Sequence, residues 1–238
     1  MKDKVIKNKS WEFDNEVTNV FDNMLERSIP QYEQMRLLVS KLSSKIINYN
    51  NIPTKTIIDI GCSKGRALES IYKIHPSLKY IGIEYSKPMY DYCVDKWADK
   101  NNVSFLNTNL KDFYPNIDRP DNVLCLSILT LCFVPIEYRS FVLTNIYNSL
   151  CKDGALIIVE KCLSNNYTTS NYIDNVYYDM KKTNGYTQEQ IASKRKSLEG
   201  VLVPLQTSFN EELFRQVGFN KVDVFWKYLN FTGWVLIK

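Results

Sequence analysis

Histidine is almost absent from this chain: His75 is the only one in 238 residues. Imidazole-based catalysis therefore has a single candidate, and His75-Pro76 reads as a helix-ending turn, so His75 is assigned a structural place. The same scarcity removes the commonest ligand from any transition-metal site. The six cysteines (Cys62, Cys93, Cys125, Cys132, Cys151, Cys162) include no Cys-x-x-Cys pair, which argues against a structural zinc or disulfide framework and predicts buried, reduced thiols. No apolar run approaches the roughly 20 residues that span a bilayer, and the start Lys2, Lys4, Lys7, Lys9 is not followed by the apolar core of a signal peptide. A cytoplasmic protein without a membrane partner is expected, with residues 1–10 as a solvated tail. Nor is either charge in large excess: 30 basic against 26 acidic residues leave +4, too balanced for a nucleic-acid footprint.

What is present is a 45% hydrophobic chain, enough to bury the core of one domain over residues 1–238. Its most informative run is Thr56-Ile57-Ile58-Asp59-Ile60-Gly61-Cys62-Ser63-Lys64-Gly65. The β-branched residues suit a strand buried on both faces, and Gly61 and Gly65 let backbone and helix start approach a ligand closely. A glycine turn after a strand also serves as an ordinary connection, and these ten residues alone do not separate the two uses. A second apolar run, Tyr80-Ile81-Gly82-Ile83, ends in Glu84, where nucleoside-binding α/β folds place a ribose-binding carboxylate. Such a carboxylate is otherwise a neighbour of a helix start, and Ser86 with Met89 and Tyr90 does open a helix here.

Strand-like and helix-like segments alternate from Lys55 to Glu160, which predicts a parallel sheet with helices on both faces. The strands read as Thr56–Ile60, Tyr80–Glu84, Val103–Asn107, Asn122–Leu126 and Ala155–Glu160. A tyrosine-rich helical insertion follows over 163–210, then a helix at Asn210–Gln216 closed by Gly218, and two terminal strands, Val222–Trp226 and Phe231–Ile237, antiparallel to each other. Before Lys55, apolar spacing predicts two helices, one through Phe21 and Met24 and one through Met35 to Ile46, which either cap the cleft or cover a sheet face.

This order resembles the class I S-adenosylmethionine-dependent methyltransferase fold: α/β, Rossmann-like, with a mostly parallel seven-stranded sheet, an N-terminal helical cap and a helical insertion before the last two strands. The runs Trp11-Glu12-Phe13-Asp14, Val20-Phe21-Asp22-Asn23-Met24, Arg27-Ser28-Ile29-Pro30-Gln31-Tyr32, Asp59-Ile60-Gly61-Cys62-Ser63, Asn184-Gly185-Tyr186 and Lys194-Arg195-Lys196-Ser197-Leu198-Glu199 resemble the signatures of the carboxy-S-adenosyl-L-methionine synthase family, from Trp11 essentially to the C-terminus. The resemblance implies that Tyr32, Gly61, Cys62, Ser63, Glu84, Tyr85, Asn109, Leu110 and Ser127 surround S-adenosylmethionine, or carboxy-S-adenosylmethionine as bound product. It implies that Arg195 is the catalytic, carboxylate-binding residue, in a buried setting.

The same resemblance implies the reaction: S-adenosylmethionine and prephenate give carboxy-S-adenosylmethionine and phenylpyruvate. The sulfonium acidifies its methyl group, and the ylide formed on deprotonation attacks carbon dioxide released by prephenate. The base arises from prephenate, so no protein base is assigned. A homodimer is implied, as is a downstream carboxymethyltransferase that uses the product on a nucleoside, with no direct nucleic-acid contact by this chain. Departures from the family pattern are Glu84 for aspartate, Asn109 for an acidic residue, Ser127 for asparagine, Lys64 and Arg66 in the glycine loop, and Tyr177-Tyr178 for a histidine pair. They leave open a conventional methyltransferase acting on a small molecule or nucleoside, and a binding subunit that has kept the fold without the chemistry.

Overall fold

The computed structural model describes residues 10–112 and 121–238. The expected N-terminal tail, apart from Ser10, lies outside the described residues. Two helices come first, α1 (Asn15–Ser28) and α2 (Tyr32–Tyr49). The alternating body follows: β1 (Thr56–Ile60), α3 (Arg66–Tyr72), β2 (Lys79–Glu84), α4 (Lys87–Lys96), β3 (Val103–Asn107), β4 (Asn122–Ile128), a 3₁₀ turn (Leu131–Phe133), α5 (Ile136–Ser149) and β5 (Ala155–Leu163). Then come α6 (Tyr167–Thr183), α7 (Gln188–Ser197), β6 (Leu205–Gln206), α8 (Thr207–Gln216), β7 (Lys221–Tyr228) and β8 (Phe231–Ile237).

The main sheet runs β3-β2-β1-β4-β5-β8-β7. The first five strands are mutually parallel, and β8 enters antiparallel between β5 and β7. An eighth strand corrects the expected seven: β6 pairs in parallel with the end of β5, Cys162 opposite Leu205. Two residues carry no periodicity by which a sequence could reveal them. The central position of β1 explains its composition, since all five residues are buried and β-branched side chains fill both faces.

Two cores follow from that sheet. On one face Ile58, Ile60, Leu156 and Ile158 pack with Val142, Leu143 and Ile146 of α5, Phe214 of α8 and Trp234 of β8. On the other, Ile57, Leu124, Leu126, Ile157 and Val159 pack with Met35, Val39 and Ile47 of α2 and Leu68 and Ile71 of α3. Helix starts use local chemistry: Asp14 accepts the Val17 N–H at 3.0 Å, and Ser86 accepts that of Met89 at 3.4 Å with proline in the first turn of α4. All six cysteines are free and buried. His75 bonds through Nε2 to Ser44 Oγ at 2.9 Å, a structural contact outside the cavity described below. Among the described residues, no helix is long and apolar enough to cross a membrane.

The helical insertion is pinned to the N-terminal helices by runs far apart in sequence. Arg27 Nε donates to the Asn184 carbonyl at 2.8 Å, Asn184 Nδ2 donates back to the Arg27 carbonyl at 3.0 Å, and the Arg27 guanidinium lies 4.0 Å from the centroid of the Tyr186 ring. Ser28 Oγ bonds the Tyr186 hydroxyl at 3.2 Å, and the Trp11 N–H reaches the Ser197 carbonyl at 2.8 Å. Four of the signature segments meet here.

A second polar knot supports the turn after β4. Arg139, only 2% exposed, donates to the carbonyls of Val134 at 2.8 Å, Cys132 at 3.3 Å and Val203 at 2.7 Å. Removing it takes that donor from all three in a dry setting, although the Cys132 carbonyl keeps the Val203 N–H at 2.8 Å. We expect Arg139→Leu to lower the urea unfolding free energy by about 3 kcal/mol; a loss below about 1 kcal/mol would mean that water replaces the guanidinium at those carbonyls.

Candidate active site

At the end of β1 the chain turns with Gly61 and Gly65 both at positive φ, +64° and +71°, and Ser63 between them at +49°. The glycines serve packing more than direct ligand approach. A Cβ on Gly61 would stand 2.4 Å from the Thr130 side chain, and one on Gly65 would lie 3.2 Å from Trp97 Nε1. The loop is seated by Cys62 N–H on the Ile83 carbonyl at 3.0 Å and by Thr130 Oγ1 on the Ile60 carbonyl at 3.0 Å. Cys62 is buried against Cys93, whose neighbouring thiol, followed by desolvation, holds the Cys62 thiol well above its usual range, so it stays protonated.

Glu84 ends β2 and is 7% exposed. Its two oxygens accept backbone N–H groups from opposite sides, Oε2 from Ser63 at 2.8 Å and Oε1 from Ser86 at 2.7 Å. Burial raises its pKa, and the amides of Ser86, Ser63 and Tyr85 oppose that rise without cancelling it. Each oxygen retains acceptor capacity toward the cavity, which suits a pair of ribose hydroxyls. Asp59, 2% exposed, lies close enough that burial first and the Glu84 charge second push it well above the usual carboxylate range.

These groups line one cavity of about 960 Å³, walled by the glycine loop, the ends of β2, β4 and β5, both N-terminal helices, α6 and α7. That is the upper end of small-molecule sites, about 300–1,000 Å³, and leaves space for more than one ligand. Tyr32, Gly61, Cys62, Ser63, Glu84, Tyr85, Asn109, Leu110 and Arg195 all line it. Tyr32 is buried beneath Arg36 and Arg66, and burial pushes its phenol up to about 12. Tyr85 is 67% exposed and Asn109 half-buried.

Three expectations need correction. Ser127 does not line the cavity: it is fully buried, inside the ladder between Ile60 and Ile158. β4 runs two residues past its expected end at Leu126, so Ile128, Leu129 and Thr130 reach the cavity instead. Arg195 lines the cavity from α7 but is exposed, where a buried setting was expected. Lys64 and Arg66 are engaged with the helical cap: Lys64 pairs with Asp22 at 2.9 Å, and Arg66 with Asp22 and Glu26, each at 3.3 Å, and with Glu33 at 3.2 Å.

Opposite the loop the lining turns cationic, with Lys161, Lys181, Lys194 and Arg195 set against Asp174 and Glu199. Tyr177 and Tyr178 stand among them; burial raises both phenols, so they remain hydroxyl donors. Lys194 lies 5.2 Å from the Trp11 ring centroid, and Lys181 lies 5.6 Å from that of Tyr177. Sequence reasoning missed Lys161 because β5 was ended at Glu160. Extending the strand by one residue would have placed it where parallel α/β sheets present ligand groups, at carboxyl ends of strands.

A family model described as a methyltransferase domain matches residues 57–154. Among solved structures, the plantazolicin methyltransferase BpumL, in complex with a desmethylPZN analog and SAH, superposes with TM-score 0.66 at 17% identity, covering 94% of this chain and 92% of that one. An O-methyltransferase family protein from Burkholderia thailandensis gives TM-score 0.63 at 18% identity over 94% of this chain and 60% of that one. Those likenesses establish the fold. Nearly full-length relatives are more specific. A carboxy-S-adenosyl-L-methionine synthase of Methylococcus capsulatus is 36% identical over 95% of this chain and 93% of its own length. One of Staphylococcus epidermidis is 32% identical over 96% of this chain and 97% of its own. With the fold, the cradle and relatives of this identity and coverage in agreement, the chain belongs to the carboxy-S-adenosyl-L-methionine synthase family.

Proposed function

We propose that this protein converts S-adenosylmethionine and prephenate to carboxy-S-adenosylmethionine and phenylpyruvate. The observation that carries the reading is the meeting, in one cavity, of a nucleoside cradle at Gly61 to Ser63 and Glu84 with a cationic end at Lys161, Lys181, Lys194 and Arg195. Methyl transfer to a neutral acceptor gives that charge nothing to hold, whereas a dicarboxylate needs it. The buried Glu84 carboxylate, the glycine loop, Tyr32, Tyr85, Asn109 and Leu110 support a cofactor-binding role, and α6 with α7 form the co-substrate side. The acceptor capacity left on Glu84 fits a ribose.

S-adenosylmethionine supplies an acidified methyl group on a sulfonium. Prephenate loses its ring carboxylate as carbon dioxide and its ring hydroxyl as hydroxide as the ring becomes aromatic. The methyl carbon gives its proton to that hydroxide, forming water, and bonds to the carbon dioxide. Two ligands thus become carboxy-S-adenosylmethionine, phenylpyruvate and water, with no oxidant and no protein base. The chain's part is to hold opposite charges in register and to keep other water out, and Arg195 is assigned the carboxylate that moves. Exposed Tyr167, Tyr172 and Val176 along α6 support self-association as a homodimer, and the product's chemistry calls for a carboxymethyltransferase acting next.

Mass spectrometry of the protein incubated with S-adenosylmethionine tests the reading. A cofactor gaining one carboxylate only when prephenate is present is the expected result; S-adenosylhomocysteine formed with an acceptor, and no carboxylated cofactor, overturns it. Arg195→Leu should lower kcat/KM for prephenate about tenfold, the lower end for a charge-assisted contact because the side chain is exposed to solvent. An unchanged kcat/KM would remove Arg195 from the site.

Acidification gives an independent check on Glu84. Its folded-state pKa is raised, so the ionised form is lost as pH falls through a range above that of an ordinary glutamate. Affinity for S-adenosylhomocysteine, measured by calorimetry, should therefore decline as pH drops toward that range, before ordinary carboxylates titrate. Glu84→Gln should weaken binding about tenfold or more and abolish that dependence.

A further inference from the structure

Along β5, neighbouring side chains take opposite faces. Glu160 turns to the Leu131–Phe133 turn, where its oxygens accept the Leu131 and Cys132 N–H groups at 2.9 and 2.7 Å. Lys161, the next residue, turns to the cavity. Its backbone is in register with Phe231 of β8, and its ammonium lies 5.0 Å from the centroid of the buried Tyr177 ring, which itself packs 5.7 Å from Phe231. The side chain is half-buried and, among the described residues, makes no ion pair or hydrogen bond.

The other cavity cations are differently placed. Lys64 is paired with Asp22, and Lys181 and Lys194 are packed on aromatic rings and already engaged. The groups that act on the Lys161 charge are Asp174 from α6, the Cys132 thiol and Arg195 from α7. Asp174 is itself held by Asn230 Nδ2 at 3.1 Å. Burial depresses the Lys161 ammonium, Asp174 and Cys132 counter that, and Arg195 depresses it further. A desolvated ammonium facing a guanidinium, with no carboxylate in contact, is completed by an anion that reaches both.

We propose that Lys161 and Arg195 form a two-point clamp for a small dicarboxylate, Arg195 holding the carboxylate that is passed to the methyl group and Lys161 holding the one that stays in the keto-acid product. The assignment rests on prephenate as co-substrate and makes Lys161 a specificity-determining contact. The clamp is electrostatic and takes no part in bond making. The Tyr177 and Phe231 rings beside Lys161 offer an aromatic surface, which suits a flat six-membered ring whose carboxylate and keto-acid side chain branch from one carbon.

The test is calorimetric titration of the protein loaded with S-adenosylhomocysteine, using prephenate and phenylpyruvate in turn, on wild type, Lys161→Met and Lys161→Arg, with KM and kcat for prephenate measured in parallel. Lys161→Met should weaken both keto acids about ten- to one-hundred-fold, and raise KM for prephenate more than it lowers kcat. Its affinity for S-adenosylhomocysteine and its melting temperature should stay at or above wild-type values, because a desolvated charge has been replaced by an apolar chain of similar length. Lys161→Arg should restore most of the keto-acid affinity. Phenylpyruvate bound equally well by wild type and Lys161→Met, or Lys161→Arg no better than Lys161→Met, overturns the clamp while leaving the proposed reaction standing. A wild type that neither binds prephenate nor carboxylates its cofactor overturns both.

Discussion

The ligand end of this sheet depends on one repeated interaction: a buried glutamate at a strand end gripping two backbone amides of the neighbouring loops. Glu84 at the end of β2 holds the Ser63 and Ser86 amides, and Glu160 near the end of β5 holds those of Leu131 and Cys132. Strand ends leave backbone donors unpaired, and in a dry cleft such donors must be satisfied by something fixed. A carboxylate does this for two at once. The result is that the glycine loop, the start of α4 and the turn after β4 are set relative to the sheet by charged acceptors. Glu160 is only 2% exposed, and desolvation raises its pKa to about 7 despite those bonds and the nearby Arg139.

With those loops fixed, the cavity can be divided by charge. On the proposed reading, its cradle side presents acidic groups, Glu84 and Asp59, to a cationic, hydroxyl-bearing nucleoside ligand. Its far side presents Lys161, Lys181, Lys194 and Arg195. The two halves come from different parts of the chain: the cradle from the alternating body, the cationic half from the last residues of β5 and from α6 and α7. A methyltransferase-type sheet therefore supplies cofactor binding, and a change of co-substrate needs changes only in the helical insertion and the strand that feeds it. Lys64 and Arg66 look like exceptions, being cations on the cradle side. Their charge is taken up by Asp22, Glu26 and Glu33, so they fasten the helical cap to the loop.

Much of this was legible in the sequence, and what was not has identifiable physical causes. The seven long strands announce themselves by apolar runs, and Glu84 and Ser86 by the spacing of strand end and helix start. Ser127 was misplaced because the expected end of β4 fell two residues early. In a strand, a one-residue difference moves a side chain to the opposite face, so Ile128 stands where Ser127 was expected. Lys161 was missed for the same reason at β5. The partners of Lys64 and Arg66 lie about 40 residues away in the chain and cannot be read from local pattern. The exposure of Arg195 follows from the facing of α7, whose weak amphipathic pattern gives no sequence signal of it.

The signature runs themselves point to what binds the two halves together. Trp11, Arg27, Ser28, Asn184, Tyr186 and Ser197 converge on a structural knot beside the cavity. The Tyr186 ring carries Arg27 at 4.0 Å, Lys181 at 5.1 Å and Lys194 at 5.4 Å. Gathering three cations around one aromatic ring disperses their charge over a polarisable surface, and two of them, Lys181 and Lys194, line the cavity. That raises the positive potential of the co-substrate half without spending those side chains as direct ligands. In the proposed reaction Arg195 and Lys161 are then left to make the specific contacts, and the neighbouring cations add to the field in which a dianion would bind next to a sulfonium. Specific residue runs in this chain thus encode the field as well as the contacts, which is why segments far from the glycine loop are as informative as the loop itself.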